Sequence, residues 1–247
     1  MKRRVVVSVL GLFLLCGVGC ARLHQPLPTG VVSAEADELA RQIEAAVGAD
    51  AWAETGAISW TFAGRNHHLW DRRRNYVQVS WGRTVVWLDL TSHQGGATVR
   101  DRPVSEEKER EYLDKAYAMW ANDSFWLNPL VKLFDDGTSR ALVAEGDREN
   151  LLVTYSSGGV TPGDSYLWTP GPDLRPTAWQ MWVSVIPWGG VSTTWEGWTQ
   201  LSTGAWIATE HGGPLGLSLK LTDVHAATSL TDLLGAERDP FGCLWQE

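Results

Sequence analysis

A charged helical stretch near the middle of the chain ends in Met119-Trp120-Ala121-Asn122-Asp123-Ser124-Phe125-Trp126-Leu127-Asn128-Pro129-Leu130. Pro129 must terminate or bend this helix, because proline lacks the backbone donor and its ring clashes with the preceding turn. Ser105 stands where a cap belongs, and the charges of Glu106 and Glu107 suit a helix N-terminus. Tyr112, Ala116, Met119 and Trp120 fall on one stripe opposite Glu107, Glu111 and Asp114, so one face is expected to be buried. Short, Trp-bearing strand patterns lie before this helix, and more lie after it. An amphipathic helix between two antiparallel runs is expected to plug a curved sheet.

Ser33 is placed to cap an earlier helix running to about Val47, with Leu39, Ile43 and Val47 on one face and Gly48 as its stop. A further helical turn is expected at Ala51-Trp52. From Ala57 the period becomes two: Ile58, Trp60 and Phe62 alternate with Ser59, Thr61 and Ala63. Strands follow at 67–71, 75–81 and 84–90, the last two joined by a tight turn at Gly82-Arg83. Gly95-Gly96 is expected to break this first set. Beyond a turn at Asp136-Gly137, strand patterns occupy 140–144, 150–156, 165–169, 177–186, 192–199, 206–210 and 216–223. Gly158-Gly159, Gly189-Gly190 and Gly212-Gly213 punctuate them as turns. No strand–helix–strand rhythm is present, so the sheet is expected to be antiparallel.

Fifteen tryptophans in 247 residues leave two readings open. Trp combines a large apolar area with one polar N–H, so it serves either a thick β core or the lining of an apolar binding site. The net charge of -8 argues against a nucleic-acid partner, whose binding is dominated by basic contacts to phosphate.

Catalytic signatures are missing. The chain has no G-x-S-x-G elbow, no H-E-x-x-H, no cysteine pair at metal spacing and no glycine-rich phosphate loop. His67 and His68 are strand neighbours and point to opposite faces, so they are not expected to share a metal. Glu106-Glu107 and Asp135-Asp136 read as a helix start and a turn, whereas acid–base partners converge from separate elements. Lys132 and Arg140 read as surface charge. The expectation is a protein that is not an enzyme, with no catalytic residue, metal or cofactor.

Lys2, Arg3 and Arg4 precede an apolar run at 5–15 that is short for a permanent membrane span. The run ends in Gly17-Val18-Gly19-Cys20, which resembles the cleavage box of bacterial lipoproteins. The resemblance implies a signal peptide at 1–19, a lipidated Cys20, a tether over 20–32 and one domain over 33–247; the alternative is an ordinary secretory cut nearby. Ala21 stands where Asp would signal inner-membrane retention in enteric-type bacteria. The expected address is therefore the cell envelope, lipid-anchored to the outer membrane and facing the periplasm. With Cys16 removed and Cys20 acylated, Cys243 is left without an internal disulfide partner.

The order helix, strands, central helix, strands resembles the LolA/LolB-like superfamily of lipoprotein carriers. The likeness is carried by residues 58–64, 84–90, the helix exit at 120–133, and 177–186 followed by 191–198. It implies an α+β fold: a strongly curved, incompletely closed antiparallel half-barrel with helices packed on its concave side. It also implies a hollow for acyl chains or a lipoprotein ligand. Trp60, Phe62, Trp179 and Met181 are expected to face that hollow, since each pair sits two residues apart on a strand. Trp120 and Trp126 are expected to form a lid, with Asn122-Asp123-Ser124 as weak helix formers beside them. The other reading is a structural or sensory envelope lipoprotein with a filled core and no small ligand.

Overall fold

The computed structural model describes residues 24–157, 161–236 and 238–245. The segment expected to be a signal peptide, Cys20 and the expected Gly158-Gly159 turn lie outside them, as does the side chain of Cys243.

Ser33 caps α1 (Ala34–Ala46), its hydroxyl accepting from the Ala36 N–H at 3.3 Å. Ala36, Ala40 and Ile43 form the buried stripe. Gly48 takes φ +71, a left-handed conformation that costs glycine little, and so separates α1 from α2 (Ala49–Glu54). A meander follows: β1 (Ala57–Phe62), β2 (Asn66–Asp71), β3 (Tyr76–Trp81), β4 (Thr84–Asp89), β5 (Gly95–Val99) and β6 (Arg102–Pro103). The Gly95-Gly96 pair extends this sheet, contrary to the expectation that it would end it. A Cβ at position 95 would lie 1.9 Å from the Trp87 carbonyl oxygen, so only glycine lets β5 close on β4.

α3 (Glu106–Leu127) then crosses the inner face and leads into a 3-10 turn, Pro129–Val131. Its buried line runs through Leu113, Ala116, Asp123, Ser124 and Leu127, about one residue round from the expected stripe. The second run comprises β7 (Thr138–Glu145), β8 (Arg148–Tyr155), β9 (Ser165–Pro170), β10 (Pro176–Trp182) and β11 (Val191–Thr194). The strand expected over 177–186 stops at Trp182, because the Val183 carbonyl accepts from the Ile186 N–H and starts a turn. Short strands β12 (Thr199–Gln200), β13 (Trp206–Ile207) and β14 (Glu210–Gly212) precede the long β15 (Ser218–Ala227).

The strands make two main sheets, ordered β14-β15-β1-β2-β3-β4-β5-β6 and β11-β10-β9-β8-β7, with β12-β13 as a separate pair. The fold is α+β, and the large antiparallel sheet is curved without closing into a barrel. β15 returns from the end of the chain to pair with β1, and the register shifts between Ser59 and Thr61. Such a bulge bends a strand and increases its twist. The two sheets meet where Glu196 bridges Glu210 and the Gly212 N–H donates to Thr194 Oγ1 at 2.8 Å.

On the inner side, α1 and the 3-10 turn pack on the five-stranded sheet, and α3 packs on β3 to β5. The apolar clusters there run into one another through Trp120, Trp126 and Val131. Arg140, expected on the surface, is a tie between elements. It donates to Asp37 of α1 at 2.5 Å and to the Leu133 carbonyl at 2.8 Å, with its guanidinium 4.3 Å from the Phe134 ring centroid. The outer face of β1 is covered by α4 (Leu230–Leu234) and Phe241, elements too short to leave a periodic pattern. The segment expected to be a tether runs along β7, the edge strand of the five-stranded sheet, where Val31 and Leu142 exchange backbone hydrogen bonds.

Candidate functional site

Strand pairing aligns the inner-face residues in rows. Trp60 lies opposite His68, and His68 opposite Val79; Phe62 lies opposite Asn66. In the other sheet Trp179 is paired with Trp168, and Met181 with Tyr166. The four strand residues expected to line a hollow therefore lie on faces turned towards the helices, but in two groups. Trp60 and Phe62 belong to the central cluster, and Trp179 and Met181 to the cluster under α1. The α3 residues connect them. Trp120 meets Trp70 edge to face at 5.2 Å, and Trp126 meets Trp179 at 4.8 Å. Phe125, one residue earlier, packs on Tyr166 at 5.0 Å. The result is one continuous aromatic layer.

The layer is packed. Trp60 and Trp179 are each 1% exposed, and Phe62 and Met181 are buried. Two open surface concavities among the described residues lie elsewhere. One, of about 270 Å³, is bounded by Arg73, Ser229 and Arg238, and the other, of about 340 Å³, by Gln200, His225 and Asp232. Neither touches the six expected lining residues.

Two polar groups inside the layer escaped the sequence reading. His68 Nε2–H donates to Asp123 Oδ2 at 2.7 Å, and Asn66 Nδ2 donates to the same oxygen at 2.8 Å. Asn122 Nδ2 donates to Oδ1 at 2.8 Å. The Trp60 ring stacks on His68 at 4.4 Å with 13° between planes. The signal for Asp123 was periodicity: it falls three residues after Trp120 and seven after Ala116, on the buried stripe. His68 Nδ1 has no partner among the described residues, so this pair has no hydroxyl or thiol to activate. His67, on the opposite face, is exposed and bonds Thr61 Oγ1 at 2.9 Å.

His211 of β14 is the second group. Its ring lies 4.4 Å from Trp195 and 5.2 Å from Trp126, and Nδ1 donates to the Thr194 carbonyl at 3.3 Å. Burial lowers its pKa to about 4, so the ring is neutral near pH 7. Around these two histidines the indole N–H groups of Trp60, Trp70, Trp120, Trp168, Trp179 and Trp195 are buried with no acceptor among the described residues. An apolar layer studded with unused donors can take an apolar chain that brings its own acceptor oxygens.

α3 is held differently on its two sides. Asp123 hydrogen-bonds it to β2, whereas Phe125 and Trp126 meet the five-stranded sheet through ring contacts. The segment expected to be a lid is thus pinned on one side and apolar on the other.

No protein family and no curated protein matches this chain by sequence. Among solved structures, the chain is similar to a DUF1329 family protein from Desulfovibrio piger, with 13% identity, a TM-score of 0.43, and coverage of 84% of this chain and 98% of that one.

Proposed function

We propose that this protein is a lipid-anchored, non-enzymatic lipoprotein of the cell envelope that takes acyl chains, or another hydrophobic ligand, into its inner aromatic layer. The observation that supports this is the set of six buried indole donors that have no acceptor among the described residues. A buried donor left unpaired costs about 1–3 kcal/mol, and native cores hold few of them. A ligand carrying ester or carboxylate oxygens would satisfy them while its chain replaces ring–ring contact. The driving force is removal of apolar area from water, roughly 25 cal/mol per Å² before ordering costs. The entry route runs between Phe125 and Trp126 on one side and Tyr166, Trp179 and Trp195 on the other, which meet through ring contacts. Acyl-chain transfer is also what the LolA/LolB-like resemblance implies.

The near-complete burial of Trp60 and Trp179 favours a second reading, a structural or sensory envelope lipoprotein with a filled core. Mass spectrometry of protein purified without detergent, together with titration of a fluorescent fatty acid, separates the two. Co-purifying lipid or saturable uptake supports the binding reading; a clean protein that takes up no probe leaves the filled core.

A further inference from the structure

The tether leaves the described structure at one end of the five-stranded sheet. His24 Nδ1 accepts from the Gly189 N–H at 3.0 Å, and the Gln25 N–H donates to the Gly189 carbonyl at 3.0 Å. The Trp182 indole donates to the Gln25 carbonyl at 2.8 Å. The three bonds hold the tether to the end of β10 and to the turn that follows it. The turn between β14 and β15 reaches the same end. β14 runs antiparallel beside the end of β11, from Glu210 opposite Glu196 to Gly212 at Thr194, so the 3-10 turn Pro214–Gly216 continues along β11 towards its start.

Both turns hold apolar side chains out in solvent: Val185 is 72% exposed, Leu215 97% and Leu217 49%. Leu215 does so at φ +59, a left-handed conformation that bulky side chains rarely adopt. There is no Asp, Glu, Lys or Arg between Arg175 and Glu196, nor between Glu210 and Lys220, although 20% of the chain is charged. Cys20 precedes His24 by four residues, a length of chain that reaches at most about 14 Å.

We propose that this end of the molecule is a membrane-contact surface: the β10–β11 and β14–β15 turns rest on the bilayer that holds the Cys20 lipid, with Leu215 inserted among the acyl chains. The inference rests on the lipid anchor of the preceding reading. The short tether holds His24, and with it both turns, close to the anchored residue. Exposed apolar side chains gain by leaving water for the bilayer, and the two turns carry no Asp, Glu, Lys or Arg of their own. The carboxylate that touches them, Asp164, accepts from the Ser184 N–H at 3.0 Å and is already buried. Lipid and turns then act as two linked attachments, the second made nearly intramolecular by the first.

The test uses the full chain recovered from membranes in a Cys243→Ser background. Leu215→Cys carries an environment-sensitive dye, and Asp147→Cys, in the exposed β7–β8 turn at the opposite end of the sheet, carries the same dye as reference. Each protein is reconstituted into vesicles of phosphatidylethanolamine and phosphatidylglycerol, with and without doxyl-labelled lipid. The mass of the N-terminal peptide is read on the same preparations. The expected result is an acylated Cys20, with a blue shift and doxyl quenching of the dye at 215 and neither at 147. An acylated Cys20 with a water-like dye at 215 overturns the contact surface, leaves the anchor standing, and turns the apolar turns over to a protein partner. An unmodified Cys20 removes the anchor; quenching at 215 then supports the surface as a membrane contact in its own right, and no quenching removes both.

Discussion

His68 Nε2 and Asp123 Oδ2 stand 2.7 Å apart between β2 and α3, with both side chains shielded from solvent. This contact ties the central helix to the large sheet at the level where the helix leaves it for the smaller one. Removing Asp123 leaves the buried His68 and Asn66 donors without their acceptor, at a cost of about 1–3 kcal/mol for an unpaired buried group, whereas replacing both members of such a pair with apolar side chains is often close to neutral. Asp123→Ala is therefore expected to lower unfolding free energy in urea by about that amount. The double variant His68→Phe/Asp123→Leu should lose clearly less. Equal losses in the single and double variants would show that the hydrogen bond is not what holds α3.

Trp60 stacks on the His68 ring and is nearly fully buried. Trp60→Ala is expected to cost about 3–5 kcal/mol as a large-to-small core substitution. On the binding reading it also weakens uptake of the fluorescent fatty acid, and Trp60→Phe, which keeps the bulk but loses the N–H, weakens uptake with a smaller stability loss. Uptake unchanged in both variants would remove Trp60 from the binding layer.

His211 introduces a pH dependence of definite sign. Its folded pKa of about 4 lies below the ordinary histidine value of 6.5, so between these values the unfolded chain binds a proton that the folded chain does not. Stability from this group is present above about pH 6.5 and is lost as pH falls towards 4. Between pH 7.5 and 5 the loss amounts to roughly 2 kcal/mol. Urea titrations at the two pH values measure it, and His211→Phe should flatten the difference by that amount. A variant with the same pH slope as wild type would place the titration elsewhere.

Cys20→Ala addresses the anchor directly. The substituted chain is expected to keep its signal segment, or to be released from membranes after cleavage at another site. Processing and fractionation identical to wild type would leave no role for a lipid at Cys20.

Local chemistry made much of the architecture legible. The Ser33 cap, the left-handed Gly48, the alternation at Ile58, Trp60 and Phe62, and the stop imposed by Pro129 all depend on residues close in sequence. They specify an element and its apolar face whatever lies on top. The sequence by itself therefore determined a chain of antiparallel strands interrupted by one amphipathic helix. What covers each face was decided only in three dimensions, because period two and period 3.6 name an apolar face without naming its partner. The pairing of β15 with β1, the seam between Thr194 and Gly212, and the approach of β5 to β4 over Gly95 are all of this kind. So is the candidate site. Asp123 on an apolar stripe was visible as an anomaly, but its meaning required His68 and Asn66 to arrive from β2. The closing of Trp126 onto Trp179 and Trp195 depends on how two sheets meet a single helix, and no local pattern encodes that distance.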